Sequence, residues 1–366
     1  INMNIGIITF HSAHNYGAML QAFALQKYIK NNYNCNVKNI NFNTDKDIKA
    51  YKIFKKHKKI HSYIWEILKF LHYSELKKRH NSFELFLKNY IDTTERYSTY
   101  EKLIENPPQF DVYISGSDQV FSPKGKELNA YYLNFGPNHI KKIAYAPSFG
   151  YTSIPDDIKE IIKKLLLRFN YLSAREKSGC QIIKDLINKD VPNVVDPVFL
   201  IDPTEYRKIS NPVKLKYENY ILCYSLVGIK KQIAIACRLK EITGLPIVLI
   251  RDTALLPIKC VDKIIRFAGP REFLWLLDNA KYVVTDSFHG TSFSLIFKKN
   301  FFSVIAFPEK ADRIYSILKE IGLDSRIVYK PGEINKQDLY IDYEAPSEKL
   351  QAKIQLSKEF LHKALQ

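Results

Sequence analysis

The sequence contains few cysteines, and none of them forms a pattern that binds a metal. Five cysteines are scattered over 366 residues without a CxxC pair. A CxxC pair is typical of a structural zinc site, and no pattern among these five cysteines suggests a disulfide framework. We therefore predict neither, and we infer a reducing, cytoplasmic compartment. Cys223 and Cys237 lie in apolar patterns, so we expect both to be small residues of the core.

Long apolar segments are absent as well. No run reaches the about 20 residues that a membrane-spanning helix requires. The start of the sequence also lacks the basic and apolar pattern of a secretory signal peptide. These absences predict a globular cytoplasmic protein, for which any contact with the inner face of a membrane would be peripheral.

Several common catalytic motifs are missing. The sequence has no Walker A lysine loop, no GxSxG elbow, no HExxH pair and no GxGxxG fingerprint. Each motif supplies groups that its chemistry needs, so we exclude P-loop phosphoryl transfer, serine hydrolysis, zinc catalysis and dinucleotide binding. We accordingly predict no metal and no organic cofactor.

Acidic residues are outnumbered by basic ones. There are 38 Asp and Glu against 55 Lys and Arg, which gives a net charge of +17 at pH 7. Such an excess attracts nucleic acid, a membrane surface or phosphorylated substrates. No nucleic-acid-binding motif accompanies the charge, so we predict no nucleic-acid partner.

Much of the positive charge lies in residues 44–80, where aromatic residues are interspersed. A solvated helical hairpin explains this composition and is the favoured interpretation. A basic amphipathic helix at a membrane surface is the alternative. The basic residues concerned are Lys55, Lys56, Lys58, Lys59, Lys77, Lys78 and Arg79.

Apolar runs of strand length alternate with helical patterns along most of the chain. This alternation is typical of α/β proteins with parallel sheets, and 366 residues exceed a single core of common size. We predict two doubly wound domains, residues 1–205 with a helical insertion at about 48–90, and residues 206–366. A segment without clean periodicity at 202–216 is the predicted linker, and a final helix is expected at 347–366.

The most informative polar cluster follows an apolar run at 282–284. It contains Asp286, Ser287, His289 and Gly290, and a helical pattern comes next. Ligands of open α/β sheets bind at the carboxyl ends of strands, and a helix N-terminus favours an anion. An imidazole at that point can move a proton close to a bound phosphate or carboxylate. The alternative is that Asp286 or Ser287 caps the helix and His289 bonds to a carbonyl group.

A second polar cluster precedes the first predicted helix. Asn15 and Tyr16 can hydrogen-bond to a sugar, and Gly17 lets the backbone approach a ligand closely. His11 is a further candidate site residue, and His14 is a weaker one. Surface positions for both histidines are the alternative.

A third cluster follows the predicted strand at 111–115. Asp118 can deprotonate a hydroxyl group, or it can close an Asx-turn or cap a helix. Ser117 and Gln119 flank it and are candidate contacts to the substrate.

Arginines provide candidate anion-binding groups. Arg175 follows a short predicted strand, and a guanidinium can bind a carboxylate or phosphate through two parallel N–H bonds. An ion pair with a neighbouring acid such as Asp196 is the alternative. Arg313, Lys298 and Lys310 lie downstream of His289 as additional partners for an anion.

These motifs, taken in order, resemble the polysaccharide pyruvyl transferase family. The resemblance extends over about residues 3–330, and its specificity comes from six segments in the family's order. The segments are NYGA (15–18), DVYISGSDQV (111–120), AYAPSFG (144–150), SARE (173–176), VDPVF (195–199) and TDSFHG (285–290).

The resemblance implies two Rossmann-like domains that face a cleft in a GT-B-like arrangement, with the C-terminal helix returning to the first domain. It also implies transfer of a pyruvyl group from phosphoenolpyruvate to a nucleotide- or lipid-linked sugar of an exopolysaccharide or capsule precursor. On this basis we expect His289 to act as the acid and Asp118 as the base, while Arg175, Arg313 and the helix after Ser287 bind phosphoenolpyruvate.

One position departs from the family pattern. Ser287 stands two residues before His289, where several family members carry an arginine. This departure favours an alternative, a GT-B-type glycosyltransferase in which His289 and Gly290 hold the diphosphate of a sugar nucleotide. A catalytically silent binding subunit of a glycan-assembly complex is the third interpretation.

Overall fold

The structure is a computed structural model that describes residues 3–54, 61–125, 127–308 and 311–366. Five lysines named in the sequence analysis lie outside these ranges, namely Lys55, Lys56, Lys58, Lys59 and Lys310.

Two six-stranded sheets form the framework of the fold. The strands of the first sheet are Met3–Ile8 (β1), Cys35–Phe42 (β2), Thr93–Tyr97 (β3), Val112–Ser115 (β4), Lys141–Ala144 (β5) and Tyr171–Leu172 (β6). In space they follow the order β3-β2-β1-β4-β5-β6, and all neighbours are parallel. This is the strand order of a Rossmann sheet.

The second sheet repeats this topology. Its strands are Ile221–Tyr224 (β7), Ile247–Ile250 (β8), Lys263–Ile265 (β9), Tyr282–Thr285 (β10), Asn300–Val304 (β11) and Ile327–Val328 (β12). Their order is β12-β11-β10-β7-β8-β9, again with parallel neighbours. The predicted fold class of two Rossmann-like units is therefore confirmed.

Helices connect the strands and complete the core. The helices of the first half of the chain are Tyr16–Asn32 (α1), Asp45–Ala50 (α2), His61–Leu71 (α3), Tyr73–Tyr90 (α4), Tyr100–Glu105 (α5), Leu128–Tyr131 (α6), Asp156–Leu166 (α7) and Lys177–Ile187 (α8). Those of the second half are Pro203–Ile209 (α9), Ile229–Thr243 (α10), Pro270–Asp278 (α11), Phe288–Ile296 (α12), Asp312–Ile321 (α13) and Glu344–Leu365 (α14). Strands β4, β7, β8 and β10 are buried at every position, as expected for parallel strands whose sheet is covered on both faces.

The two halves of the chain contact each other through α4 and α14. Ser357 Oγ in α14 accepts a hydrogen bond at 2.9 Å from the backbone N–H of Val195, which lies beyond the first sheet. Glu75 of α4 forms a 3.2 Å ion pair with Arg266, which follows the second sheet's edge strand. The predicted division at residues 205 and 206 stays a prediction. None of the described helices is long and apolar enough to cross a membrane.

One disulfide is present among the described residues, although no disulfide framework was expected from the sequence. Cys237 in α10 is bonded to Cys260, which lies shortly before β9, and their Cα atoms are 6.0 Å apart. The two residues are 23 positions apart in sequence, so no short spacing signals the pair, and only the packing of α10 brings them together. Cys223 is buried in β7, as expected.

Candidate active site

The candidate site lies where the strand order reverses in each sheet. Strands β1 and β4 are neighbours in the first sheet, as are β7 and β10 in the second. Ligands of such sheets bind in the crevice at the carboxyl ends of these neighbouring strands. The polar clusters identified in the sequence follow β1, β4 and β10, so the fold brings them to these crevices.

His289 lies in the first turn of α12, directly after β10, and is buried. Ser287 caps this helix, since its Oγ accepts a hydrogen bond from the backbone N–H of Gly290 at 3.2 Å. A Cβ at Gly290 would lie 2.4 Å from Thr285 Oγ1. Glycine is therefore required for the tight turn that places His289 at the end of the strand.

The N-terminus of α1 meets His289 from the first half of the chain. A Cβ at Gly17 would lie 2.0 Å from His289 Nδ1, so a glycine is needed at this contact. Asn15 caps α1 by accepting a hydrogen bond from the backbone N–H of Ala18 at 3.1 Å. Two helix N-termini thus converge on one point, and both contribute positive potential there.

A buried carboxylate faces the imidazole. Asp196 Oδ2 lies 3.5 Å from His289 Nε2, and it accepts hydrogen bonds from Arg175 Nη1 at 2.7 Å and from Ser117 Oγ at 2.9 Å. Burial by itself raises the pKa of Asp196, but the neighbouring His289 and Arg175 outweigh burial and hold that pKa well below its usual range. Asp196 is therefore ionised at neutral pH, and its negative charge faces the imidazole of His289.

Arg175 is enclosed by carboxylates. Its Nε donates to Glu176 Oε1 at 2.9 Å, and its Nη2 lies 3.9 Å from Asp118 Oδ1. Burial lowers the pKa of Arg175, but Glu176, Asp196 and Asp118 outweigh burial and raise it. The ion pair weighed in the sequence analysis is thus present. Nη2 is buried and has no hydrogen-bond partner among the described residues.

Asp118 follows β4 in an uncommon backbone conformation. Its φ angle is +70° and its ψ angle is −172°, a combination that is essentially confined to glycine. One oxygen, Oδ1, accepts a hydrogen bond from the backbone N–H of Gln119 at 2.9 Å. The capping role is therefore present, and the carboxylate also lines the cavity described next.

A cavity of about 380 Å³ lies at this site. The polar side chains that line it include Asp118, Gln119, Ser287, His289 and Arg313. With its amide oxygen turned toward Arg313, Gln119 accepts hydrogen bonds from both Nη atoms at 2.9 Å. Burial and then the nearby Arg175 lower the pKa of Arg313. No carboxylate forms an ion pair with Arg313 in the part of the chain that the structure describes. We call this space the smaller cavity.

A larger cavity of about 720 Å³ adjoins the smaller one. Asn15, Tyr51 and Leu226 line both spaces. Residues of α3 and α4 form one wall, and residues that follow β7 and β8 form another. Its cationic lining includes Arg79 and Arg251.

Two predicted site residues use their polar groups within the fold. The ring nitrogens of His11 lie 3.1 Å from the Thr9 carbonyl oxygen and 3.2 Å from Asn41 Oδ1, and burial lowers the pKa of His11. Tyr16 donates its hydroxyl to the Ala268 carbonyl at 2.9 Å, and burial raises its pKa to about 12. His11 lines neither cavity, whereas Tyr16 lines the larger one.

One group of described residues has a metal-binding composition. Ligand atoms of His14, His80 and Glu84 lie within 4.8 Å of one another, and His14 and His80 line the larger cavity. His14 Nε2 already forms a 2.8 Å hydrogen bond with Glu84, and burial lowers the pKa of His14. The absence of a metal from the reaction stays a prediction.

The role of Asp196 beyond its pairing with Arg175 was not predicted from the sequence. Its backbone lies in no strand, because Asp196 caps a single 3-10 turn at Pro197–Phe199 by accepting from the backbone N–H of Val198 at 3.1 Å. The available signal was the segment VDPVF at 195–199. An aspartate before proline in an apolar context indicates a buried carboxylate that needs partners.

Comparison with known proteins now identifies the chain's relatives. The family model described as polysaccharide pyruvyl transferase matches residues 15–306. The chain belongs to this family. It is accordingly a transferase, and the resemblance described from the six motifs is confirmed. A sequence search of curated proteins finds no match.

Solved structures similar to this pyruvyl transferase family member show the same overall fold. S. aureus MnaA with UDP has 12% identity and a TM-score of 0.51, with 96% of this chain and 90% of that chain covered. UDP-GlcNAc 2-epimerase from Neisseria meningitidis bound to UDP-GlcNAc has 11% identity and a TM-score of 0.51, with 100% and 99% covered. Another UDP-N-acetylglucosamine 2-epimerase has 10% identity and a TM-score of 0.54, with 100% and 95% covered. These similarities show a GT-B-like arrangement.

Proposed function

We propose that this family member transfers a pyruvyl group from phosphoenolpyruvate to a sugar of a cell-surface polysaccharide precursor. One observation carries the proposal beyond family membership. The smaller cavity combines a guanidinium that has no carboxylate partner among the described residues (Arg313), an imidazole 3.5 Å from a buried carboxylate (His289 with Asp196) and a second carboxylate (Asp118). A reaction that protonates carbon and deprotonates a hydroxyl needs such a set of groups.

The electrostatics of the smaller cavity suit phosphoenolpyruvate. The molecule carries about three negative charges near neutral pH, since a second phosphate pKa lies near 6. The N-terminus of α12 and Arg313 supply positive potential, and Nη2 of Arg175 is a buried donor close by. In this proposal Gln119 holds the guanidinium of Arg313 toward the anion. Ser117 orients Asp196 by donating a hydrogen bond from its hydroxyl to Oδ2.

Arg313 also accounts for the departure at Ser287. Several family members carry an arginine at that position, and this chain has the capping serine instead. Arg313 of α13 and Ser287 line the same cavity. We therefore assign to Arg313 the anion-binding role that the arginine before the motif histidine would have.

His289 is the proposed acid, and Asp118 is the proposed base. Protonated His289 gives its proton to the methylene carbon, while a sugar hydroxyl attacks the adjacent carbon and its proton passes to Asp118. The carbon–oxygen bond to phosphate then breaks, and phosphate leaves with the proton from Asp118. A second sugar hydroxyl closes the ketal, and its proton restores His289.

The larger cavity is the proposed acceptor site. It is continuous with the smaller one through Asn15, Tyr51 and Leu226, so a hydroxyl can reach the donor. Arg251 lines it, and this guanidinium has hydrogen bonds to Ser225 and Thr253 but no carboxylate partner within the described ranges. Structural neighbours bound to UDP and UDP-GlcNAc support an acceptor sugar attached to a diphosphate.

A GT-B glycosyltransferase is the second candidate, because the similar folds include proteins bound to UDP or UDP-GlcNAc. Melting temperatures measured separately with phosphoenolpyruvate and with UDP-GlcNAc distinguish the two. A ligand of the native state at about one hundred times its Kd adds about 2.7 kcal/mol to the free energy of unfolding. We expect phosphoenolpyruvate to stabilise the protein, whether or not UDP-GlcNAc also binds at the proposed acceptor site. Stabilisation by UDP-GlcNAc without any response to phosphoenolpyruvate would overturn the proposal.

A further inference from the structure

Helix α3 turns its apolar side chains toward solvent. Ile64 is 57% exposed, Ile67 is 63% exposed, and Phe70 and Leu71 are each 71% exposed. Phe54 and Tyr73 extend this patch, since both are exposed and their rings stack with centroids 5.6 Å apart. We call these six side chains the α3 surface.

The opposite side of α3 faces the larger cavity. Trp65, Glu66 and Lys69 line that cavity, and Lys69 Nζ lies 2.8 Å from Glu66 Oε1. Successive helical residues are rotated by about 100°, so these three residues occupy the side away from Ile64, Ile67 and Leu71. Trp65 thus faces the cavity together with the polar Glu66 and Lys69, whereas the outward side carries apolar side chains where a surface helix usually carries polar ones.

An exposed apolar patch of this kind marks a surface that binds a partner or a membrane when the protein functions. The positive charge of the chain indicates which kind of partner binds the α3 surface. Lys77 of α4 is exposed, and its Nζ lies 5.7 Å from the centre of the Tyr73 ring, which belongs to the α3 surface. The net charge of +17 opposes pairing with a second copy of the chain and favours an anionic surface. An exposed apolar helix face beside a lysine, on a protein with excess positive charge, has the character of an interfacial membrane helix.

We infer that the α3 surface docks on an anionic lipid bilayer and sets the larger cavity against the membrane. The inference rests on the proposed function in one respect, the choice of acceptor. With α3 as both membrane contact and cavity wall, the acceptor sugar is the one carried on a lipid diphosphate. Its diphosphate is placed at the headgroup level, where Arg251 of the larger cavity can bind it.

Vesicle sedimentation tests the docking without donor or acceptor. The full-length protein should bind vesicles of phosphatidylcholine with phosphatidylglycerol, and should bind pure phosphatidylcholine weakly. The double variant Ile67→Asp/Leu71→Asp should lose affinity by about tenfold or more, because two apolar contacts with the bilayer are replaced by charges. Leu167→Asp is the matched control, since Leu167 is 65% exposed on another helix end. Unchanged melting temperatures show that all variants fold.

Three outcomes overturn the docking. The parent protein fails to bind the anionic vesicles, or the double variant binds as well as the parent, or the Leu167→Asp control loses binding equally. Light scattering measures the oligomeric state of the parent and of the double variant. A parent dimer that dissociates in the double variant would assign the α3 surface to a second copy of the chain.

The lipid-linked acceptor is tested in the same vesicle assay with one further variant. Inclusion of undecaprenyl phosphate in phosphatidylcholine vesicles should increase binding of the parent protein, and Arg251→Gln should remove that increase while retaining binding to phosphatidylglycerol. If vesicle docking holds but undecaprenyl phosphate has no effect, the lipid-linked acceptor is overturned. Because neither vesicle assay uses phosphoenolpyruvate, failure of the donor assignment leaves these results unchanged.

Discussion

His289 is the side chain on which the proposed chemistry depends most directly. Glutamine at this position retains hydrogen bonding but cannot exchange a proton at neutral pH. We expect His289→Gln to lower kcat by about a hundred- to ten-thousand-fold, the usual contribution of a placed acid or base. Steady-state kinetics with phosphoenolpyruvate and an acceptor sugar measure the effect, and the melting temperature should stay close to that of the parent. Turnover near the parental rate would show that His289 is no acid.

The two arginines near the smaller cavity should respond differently to substitution. Arg313 has no carboxylate partner among the described residues, so Arg313→Gln should weaken phosphoenolpyruvate binding with little change in stability. Arg175 contacts Asp196 and Glu176, and Arg175→Ala should cost about 3–5 kcal/mol of unfolding free energy, as the loss of a buried partner usually does. Calorimetric binding and urea unfolding separate the effects. Equal destabilisation by both variants would contradict this assignment.

Asp196 should make stability depend on acid pH. Its pKa is lower in the folded protein than in the unfolded chain, so the unfolded chain binds the proton more tightly and acid favours unfolding. The contribution is fully present above the unfolded pKa of about 3.9 and declines as the pH falls below it. Unfolding free energies measured over a pH series should therefore fall more steeply in the parent than in Asp196→Asn. Asp157→Asn, an exposed substitution, should follow the parent.

At the scale of secondary-structure elements, the contact between α1 and α12 depends on one glycine. A methyl group at Gly17 would lie 2.0 Å from His289 Nδ1, so Gly17→Ala must displace the ring or the helix. We expect turnover to fall sharply, while helix content by circular dichroism is kept, because alanine favours a helix more than glycine does. Gly244→Ala is not a suitable control, since Gly244 has φ of +71°. Gly332→Ala is suitable, because no heavy atom lies within 4 Å of the position that its new methyl group would take.

The central elements could be predicted from the sequence, whereas the edges could not. Strands β4, β7 and β10 are continuous apolar runs because both of their faces are buried. Edge strand β3 has the sequence TTERY, and β12 has two residues, so neither shows a period that could be recognised. The predicted linker likewise contains α9, whose seven residues begin at Pro203.

The residues of the candidate site could likewise be predicted only in part. His289 and Asp118 were expected at strand ends, and the fold places both on the smaller cavity together with Arg313. The role of Asp196 was not predicted, because its contacts with His289 and Ser117 join residues far apart in sequence. His11 lines neither cavity. A histidine after a strand looks the same in sequence whether its ring faces a cavity or the core, and the role of His11 in the site stays a prediction.

At the scale of the whole molecule, His289 and Asp196 join the two halves of the chain. His289 follows a strand of the second sheet, and Asp196 comes after the last strand of the first. Their contact, with His289 Nε2 3.5 Å from Asp196 Oδ2, therefore spans the cleft. Any widening of the cleft that separates the sheets also separates the imidazole from this carboxylate.

The contact between His289 and Asp196 couples the arrangement of the proposed acid to the opening and closing of the cleft. In the proposed reaction, a cleft that opens to release phosphate also separates His289 from Asp196, and the two side chains meet again when the next donor is bound. An opening movement of this kind is slowed by solvent friction. Added sucrose or glycerol should slow turnover in proportion to viscosity, and the His289→Gln variant, limited by chemistry, should be insensitive to it.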